Sequence, residues 1–135
     1  MKIYVAAPFQ DRPLVRDVHD ALMTFGFIPV STWAYSKAEK DIASLDEARP
    51  AIEQNDRDLA RADAVLVLAR LGAGAEMFCE MTRALLDGKP VYWIGRRSLS
   101  AYRPGVTRCE DTQDAVRHML TEVARRAALS AKGAA

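Results

Sequence analysis

The chain has 135 residues, of which 50% are apolar and 27% are charged, and its formal net charge is +1. This is enough for one domain with a single core, and the near-neutral charge gives no electrostatic reason to expect nucleic acid or a membrane as a partner. No apolar run approaches the roughly 18–20 residues that span a bilayer, and the start of the chain lacks a signal-peptide pattern. We therefore expect a cytoplasmic protein whose partner is a small molecule or a second copy of the chain.

Strand-like and helix-like patterns alternate along the chain. An apolar strand at residues 3–6 is followed by a turn, after which Asp11 is predicted to cap a helix that ends at Gly26. The next strand, at residues 27–30, contains Pro29, which is typical of a sheet edge.

The second helix has two competing start signals. A capping box formed by Ser44 and Glu47 precedes Pro50, and we expect the main helix to begin near Pro50 and to end at about residue 62. It leads into the continuous apolar run at residues 64–69, which indicates a fully buried strand.

The last part of the chain contributes two helices and two strands. Val116, Leu120 and Val123 are predicted to face the core from the final helix, and residues 131–135 to form a flexible tail. A single domain is thus expected over residues 1–130. The elements of this part are the helix that carries Glu80, strands at 91–94 and 106–108, and the helix at 111–129.

This alternation predicts an α/β fold, a flavodoxin-like three-layer sandwich with a parallel five-stranded sheet in the order 2-1-3-4-5. Such folds bind ligands at the switch point, here between strands 1 and 3. Free amides beside two loop glycines could hold a phosphate or a sugar hydroxyl, and an arginine could contact an anion, although a solvated helix start is the alternative. The candidate binding residues in and beside these loops are Pro8, Phe9, Gln10, Arg12, Gly72 and Gly74.

Two carboxylates are candidates for chemistry. Glu80 lies on the apolar side of its helix near the carboxyl end of a buried strand, and Asp56 is predicted to lie on the sheet-facing stripe of the preceding helix. An acid and a nucleophile of this kind suit cleavage of a glycosidic bond, and the Tyr4 hydroxyl could orient one of them. The alternatives are rim positions for both carboxylates and a core position for Tyr4.

Other groups give weaker signals. Trp33, in a polar loop, could stack on a planar base or fill a core edge. His19 and His118 lie in helices without ligand partners at metal spacing, and Cys79 and Cys109 form no metal or disulfide pattern. No metal or other cofactor is therefore predicted.

Three segments together resemble the nucleoside 2-deoxyribosyltransferase family. They are residues 3–9, the stretch from Asp56 to Asp63, and Glu80 placed eight residues before Gly88 of a Gly-Lys-Pro turn. The resemblance implies a flavodoxin-like fold and a retaining two-step mechanism, in which Glu80 attacks the anomeric carbon, Tyr4 positions it and Asp56 handles protons on the base.

The chain also departs from that family. Gly74 stands where the deoxynucleoside transferases carry a sugar-binding aspartate, which leaves room for a 5′-phosphate near Gly74 and Arg12. The resulting hypothesis is N-glycosidic cleavage or deoxyribosyl transfer on 2-deoxynucleosides through a glutamyl-deoxyribosyl intermediate. The alternatives are a nucleoside 5′-monophosphate N-glycosidase and a non-catalytic nucleotide-binding module; a flavin-binding module is weaker, because the first loop lacks a Ser/Thr-rich phosphate cradle.

Self-association is also predicted, as a homodimer or a larger homo-oligomer. Relatives in the resembled family complete their sites with a neighbouring subunit. Trp93, Tyr102 and Met119 are the apolar residues expected to serve such an interface.

Overall fold

A computed structural model describes residues 1–36, 44–70 and 74–134. The five strands form one parallel sheet in the order β2-β1-β3-β4-β5, so the predicted fold class and strand order are confirmed. The strands are β1 (Lys2–Ala6), β2 (Ile28–Pro29), β3 (Ala64–Ala69), β4 (Val91–Gly95) and β5 (Val106–Cys109). The helices are α1 (Arg12–Thr24), α2 (Leu45–Arg61), α3 (Ala75–Leu86) and α4 (Thr112–Gly133), with short 3₁₀ helices at Phe9–Asp11, Thr32–Tyr35 and Leu99–Tyr102.

Two layers of helices cover the sheet. The core on one face is shared by α1 and α4, and the core on the other face by α2 and α3. Because side chains alternate along a strand, Ile3 and Val5 of β1 point to the first face, while Tyr4 points to the second. This alternation places Tyr4 beneath α2 and α3. No described helix has the length and apolarity needed to cross a bilayer.

The edge strand β2 covers only the first part of β1. It pairs with Lys2 and Ile3 through its two residues. Further along, the Val5 amide donates to Ser31 Oγ (3.0 Å) and the Val5 carbonyl accepts from Trp33 Nε1 (3.0 Å). The 3₁₀ helix at Thr32–Tyr35, which we call the Trp33 turn, therefore takes the place of a longer edge strand.

The start of α2 differs from the predicted one, whereas α1 begins directly after Asp11 as expected. Helix α2 begins at Leu45, because Ser44 accepts a hydrogen bond from the Glu47 amide (3.3 Å), so the expected start near Pro50 is wrong. Pro50 is accommodated on the exposed side of the helix, where its missing N–H removes one backbone bond. Asp11 occupies the cap position of α1 but its side chain makes no capping bond.

Helix α4 extends further and is rotated relative to the predicted one. It continues to Gly133, and Ala131 and Lys132 in this extension are good helix formers. Val116 is buried as expected, but Leu120 and Val123 are 46% and 39% exposed, while Met119 is fully buried. Met119 therefore belongs to the core rather than to an exposed surface.

The surface predicted for self-association is also smaller than expected. Trp93 is 1% exposed and its indole donates to the Arg96 carbonyl (3.2 Å). Of the three residues expected at an interface, Tyr102 alone is exposed, at 55%. Self-association thus stays a prediction, and Trp93 and Met119 cannot contribute to it without leaving the core.

Candidate active site

Tyr4 and Glu80 meet between the sheet and helix α3. Met77, Met81 and Ala84 anchor α3 on the sheet, and Glu80 lies beside this stripe with its side chain half-buried. The Tyr4 hydroxyl donates a hydrogen bond to Glu80 Oε1 at 2.6 Å. The contact predicted between these two residues is present, across 76 positions of sequence.

The electrostatic environment of this pair favours the neutral form of each group. Burial raises the pKa of Glu80 from its ordinary value of 4.5 to about 7, and the negative charges of Glu76 and Asp56 add to the effect. The bond from Tyr4 acts in the opposite direction, because it stabilises the carboxylate. Burial and the neighbouring Glu80 also raise the pKa of Tyr4 well above its usual range, so the phenol stays a donor at neutral pH while Glu80 titrates there.

A cleft of about 130 Å³ opens beside Glu80 between α2 and α3. Pockets that enclose a drug-sized ligand measure about 300–1,000 Å³, so this cleft accommodates part of a ligand, such as a sugar ring. It is lined by Ile52, Asn55, Asp56, Leu59, Glu76, Cys79, Glu80 and Arg83. A larger depression of about 490 Å³ on the outer side of α3 includes neither Glu80 nor Tyr4 in its lining, so its size does not make it the reactive site.

Asp56 lines the cleft but is not on the buried stripe of α2. Its side chain is 55% exposed, and its Oδ1 lies 3.9 Å from Nη1 of Arg83. The prediction of a sheet-facing Asp56 is therefore wrong in burial, although the structure does bring Asp56 to the same cleft as Glu80. The two carboxylates are close enough for the negative charge of Asp56 to contribute to the raised pKa of Glu80.

The fully buried carboxylate of α2 is Asp58, which the sequence analysis missed. It accepts hydrogen bonds from the Thr32 amide (3.0 Å), the Thr32 hydroxyl (2.5 Å) and Gln54 Nε2 (2.8 Å). The i, i+4 pair formed by Gln54 and Asp58 was the available sequence signal. It is a weak one, because such pairs are common on exposed helix faces.

Phe9, Arg12 and Trp33 form an aromatic layer near the carboxyl end of β1. The rings of Phe9 and Trp33 are 6.4 Å apart and tilted by 31°, and the Arg12 guanidinium lies 4.1 Å from the centre of the Phe9 ring. Arg12 also donates to the Ser36 carbonyl. No hydrogen bond or ring contact between described residues joins this layer to the Tyr4–Glu80 pair, so the structure places the predicted binding residues in two groups.

The other predicted binding residues occupy ordinary loop positions. Pro8 is buried and Gln10 is exposed. Gly74 precedes α3 with extended dihedral angles (φ −80°, ψ 165°), and an added Cβ would meet no atom within 4 Å, so this position does not require glycine. Gly72 lies outside the described residues.

One group of potential metal ligands occurs elsewhere. Atoms of Cys109, Asp114 and His118 lie within 4.8 Å of one another where β5 leads into α4. Asp114, however, belongs to the cap of α4: its amide donates to Asp111 (2.8 Å) and its carboxylate accepts from the Glu110 amide (2.9 Å). This reciprocal capping accounts for the position of Asp114.

The fold and the carboxylate–tyrosine pair define an α/β protein with a candidate site at the switch point of a parallel sheet. A similar structure is that of a 2-deoxyribosyltransferase from the psychrotolerant bacterium Bacillus psychrosaccharolyticus, with 19% identity, a TM-score of 0.68, and coverage of 86% of this chain and 90% of that one. A conserved protein from Enterococcus faecalis V583 has 12% identity, a TM-score of 0.66, and coverage of 90% and 98%.

A third similar structure is a CMP N-glycosidase from Clostridium botulinum, with 8% identity, a TM-score of 0.55, and coverage of 88% and 98%. No family model matches the sequence, and no curated protein matches it. At these identities the likeness establishes a shared fold. The resemblance found in the sequence is therefore confirmed at the level of the fold.

Proposed function

We propose that this protein cleaves the N-glycosidic bond of a 2-deoxynucleoside or its 5′-monophosphate and passes the sugar to a second base or to water. The observation that carries the proposal is the 2.6 Å hydrogen bond from Tyr4 to a half-buried Glu80 at the edge of a cleft. Two of the similar structures, a 2-deoxyribosyltransferase and a CMP N-glycosidase, support this choice of reaction class.

Glu80 is the proposed nucleophile. Tyr4 binds Oε1 and leaves Oε2, which has no hydrogen-bond partner among the described residues, to attack the anomeric carbon. As the new C–O bond forms, the C–N bond breaks and its electron pair leaves with the base. The sugar is then held as an ester of Glu80, and attack on the same carbon by a second base or by water releases it and regenerates the carboxylate.

Asp56 is the proposed proton-handling group. It faces the same cleft from α2, so the departing base can take a proton from it, and the incoming base or water can return one. The acidic lining, which also includes Glu76, suits a transition state in which positive charge develops on the sugar. Tyr4 acts through Glu80 by fixing the orientation of its carboxylate.

Hydrolysis of a nucleoside 5′-monophosphate is the second candidate. Arg83 brings positive charge to the cleft, and the helix start after Gly74 offers backbone amides to an anion. The CMP N-glycosidase with the same fold supports this alternative. Transfer and hydrolysis differ in whether a base or water reaches the Glu80 ester.

The test is mass spectrometry of the intact protein after incubation with deoxynucleosides and, separately, with their 5′-monophosphates, combined with chromatography of the released base. We expect a deoxyribosyl adduct and free base, both lost in Glu80→Ala and both kept in Glu53→Ala, a control on the exposed side of α2. Full base release by Glu80→Ala would refute the role of Glu80. Absence of adduct and of free base with every substrate would instead favour a non-catalytic nucleotide-binding module.

A further inference from the structure

Asp58 is a buried carboxylate that the proposed mechanism does not use. It is 0% exposed, and no Lys, Arg or His side chain in the described parts of the chain forms an ion pair with it. Its charge is met by neutral donors, with Thr32 bonding Oδ2 twice and Gln54 bonding Oδ1. A buried carboxylate is costly without such hydrogen bonds. The Asp58 side chain therefore holds Thr32 and Gln54 in place, since they supply those bonds.

The contacts of Asp58 connect two structural units. On one side, α2 supplies the Ile52, Asn55, Asp56 and Leu59 wall of the cleft beside Glu80. On the other side, Thr32 is the first residue of the Trp33 turn. Among the described residues, Asp58 thus forms the hydrogen bonds that link a wall of the cleft to the turn that carries Trp33.

The Trp33 turn and its N-cap residue Ser31 are hydrogen-bonded to β1 at Val5, the residue after Tyr4. Ser31 accepts from the Val5 amide, and Trp33 donates to the Val5 carbonyl. A displacement of the turn would therefore act on the backbone next to Tyr4 as well as on the aromatic layer. Asp58 therefore connects the α2 wall to the Trp33 turn, and Ser31 and Trp33 connect that turn to the backbone next to Tyr4.

We propose that Asp58 is a positioning residue for the proposed reaction: its bonds to Thr32 hold Trp33 and the α2 wall at the spacing that the substrate requires. This inference rests on the proposed function. Asp58 touches no reacting atom and acts through Thr32 and the Trp33 turn.

A further contact and an electrostatic effect support this role. Arg57 donates to Gln54 Oε1 (2.9 Å), which turns the Gln54 amide nitrogen toward Asp58 and keeps the carboxylate supplied with a donor. The charge of Asp58 also contributes to the raised pKa of Tyr4, and so helps to keep the phenol a donor to Glu80.

The test compares Asp58→Asn and Thr32→Val with Asp63→Asn. Thr32→Val removes the hydroxyl bond and keeps the amide bond to Asp58. It therefore still tests the link if Asp58→Asn does not fold. Asp63 is the matched control, because it accepts a bond from the Lys2 amide (2.7 Å) at the opposite end of β1. KM and kcat for base release, the melting temperature and acrylamide quenching of tryptophan fluorescence are measured for each variant. Quenching reports on the half-buried Trp33, since Trp93 is 1% exposed.

We expect Asp58→Asn and Thr32→Val to raise KM by about tenfold or more and to increase quenching, and Asp63→Asn to lower the melting temperature alone. If Asp58→Asn and Thr32→Val also lower only the melting temperature, the positioning role is overturned. If the wild-type protein releases no base, the proposed function fails, and quenching alone decides on Asp58: an increase in both variants supports its hold on Trp33, and unchanged quenching overturns it.

Discussion

Replacement of Glu80 by glutamine should stabilise the protein at alkaline pH. Burial raises the pKa of Glu80 from 4.5 to about 7, so the folded state binds a proton more tightly than the unfolded state does. Each pKa unit is worth about 1.4 kcal/mol, so about 2.5 units give roughly 3 kcal/mol of unfavourable free energy once Glu80 is ionised. Because the side chain is only half-buried, we expect about 2–3 kcal/mol.

The gain should depend on pH in a defined direction. Below about 4.5, Glu80 is protonated in both states, and glutamine then resembles the native side chain and still accepts from Tyr4. As pH rises through 7, the native protein loses stability from this group while Glu80→Gln does not. The difference in unfolding free energy, measured by urea denaturation, should therefore be under about 1 kcal/mol at pH 5 and reach its maximum near pH 8.

A suitable control is Glu53→Gln, on the exposed side of α2 and outside the cleft lining. The same change of a carboxylate to an amide at this exposed position should alter the free energy of unfolding by less than about 0.5 kcal/mol. If Glu80→Gln is no more stable than the native protein at pH 8, or if its gain is the same at pH 5 and pH 8, the reasoning from burial is wrong.

Further predictions concern activity and the sheet. The kcat/KM for base release should rise with pH, with a midpoint near 7, because Glu80 reacts only when ionised. In Tyr4→Phe, pH–rate profiles should show that midpoint moved upward and the rate reduced, since the bond that lowers the pKa of Glu80 is lost. Initial rates for Asp56→Asn should fall about 100-fold, with an unchanged melting temperature because the side chain is exposed. In Gly95→Ala, the new Cβ would lie 2.3 Å from the Ala69 carbonyl oxygen at φ 115°, and urea unfolding should show a loss of more than about 2 kcal/mol.

Most of the fold could be predicted because its signals are local. The uninterrupted apolar run of β3 gave the bounds Ala64–Ala69, and the alternation of strands with helices gave the sheet order. The start of α2 was also encoded locally, in Ser44 and Glu47, but the prediction favoured Pro50. A proline beyond the first turn is tolerated on an exposed helix face, so the capping box decides the start.

The site was predictable only where one element determined the geometry. The place of Glu80 beside the apolar stripe of α3 follows from the helical period, whereas the role proposed for it rests on the family resemblance. The burial of Asp58 in place of Asp56 depends on Thr32, which is 26 residues away and belongs to a different element. The same limit applies to α4, where packing against the sheet buries Met119 and leaves Leu120 partly exposed. Helical periodicity predicts that one face of a helix is apolar, but the element against which the helix packs decides which residues at the border of that face are buried.

Along the second half of β1, the side chains of Ser31 and Trp33 bond the strand edge in place of a neighbouring strand, and this also affects solubility. An unpaired strand edge presents backbone groups to which another chain can add by intermolecular β-sheet growth. Here the Val5 amide and carbonyl are already bonded to Ser31 and Trp33. Because Val5 is 0% exposed, this edge opens only if the covering ring is lost as well as the bond. Light scattering of Trp33→Ala should therefore show aggregation, while Trp33→Phe should stay monodisperse. Selection on Trp33 for resistance to aggregation would act even in the absence of a ligand.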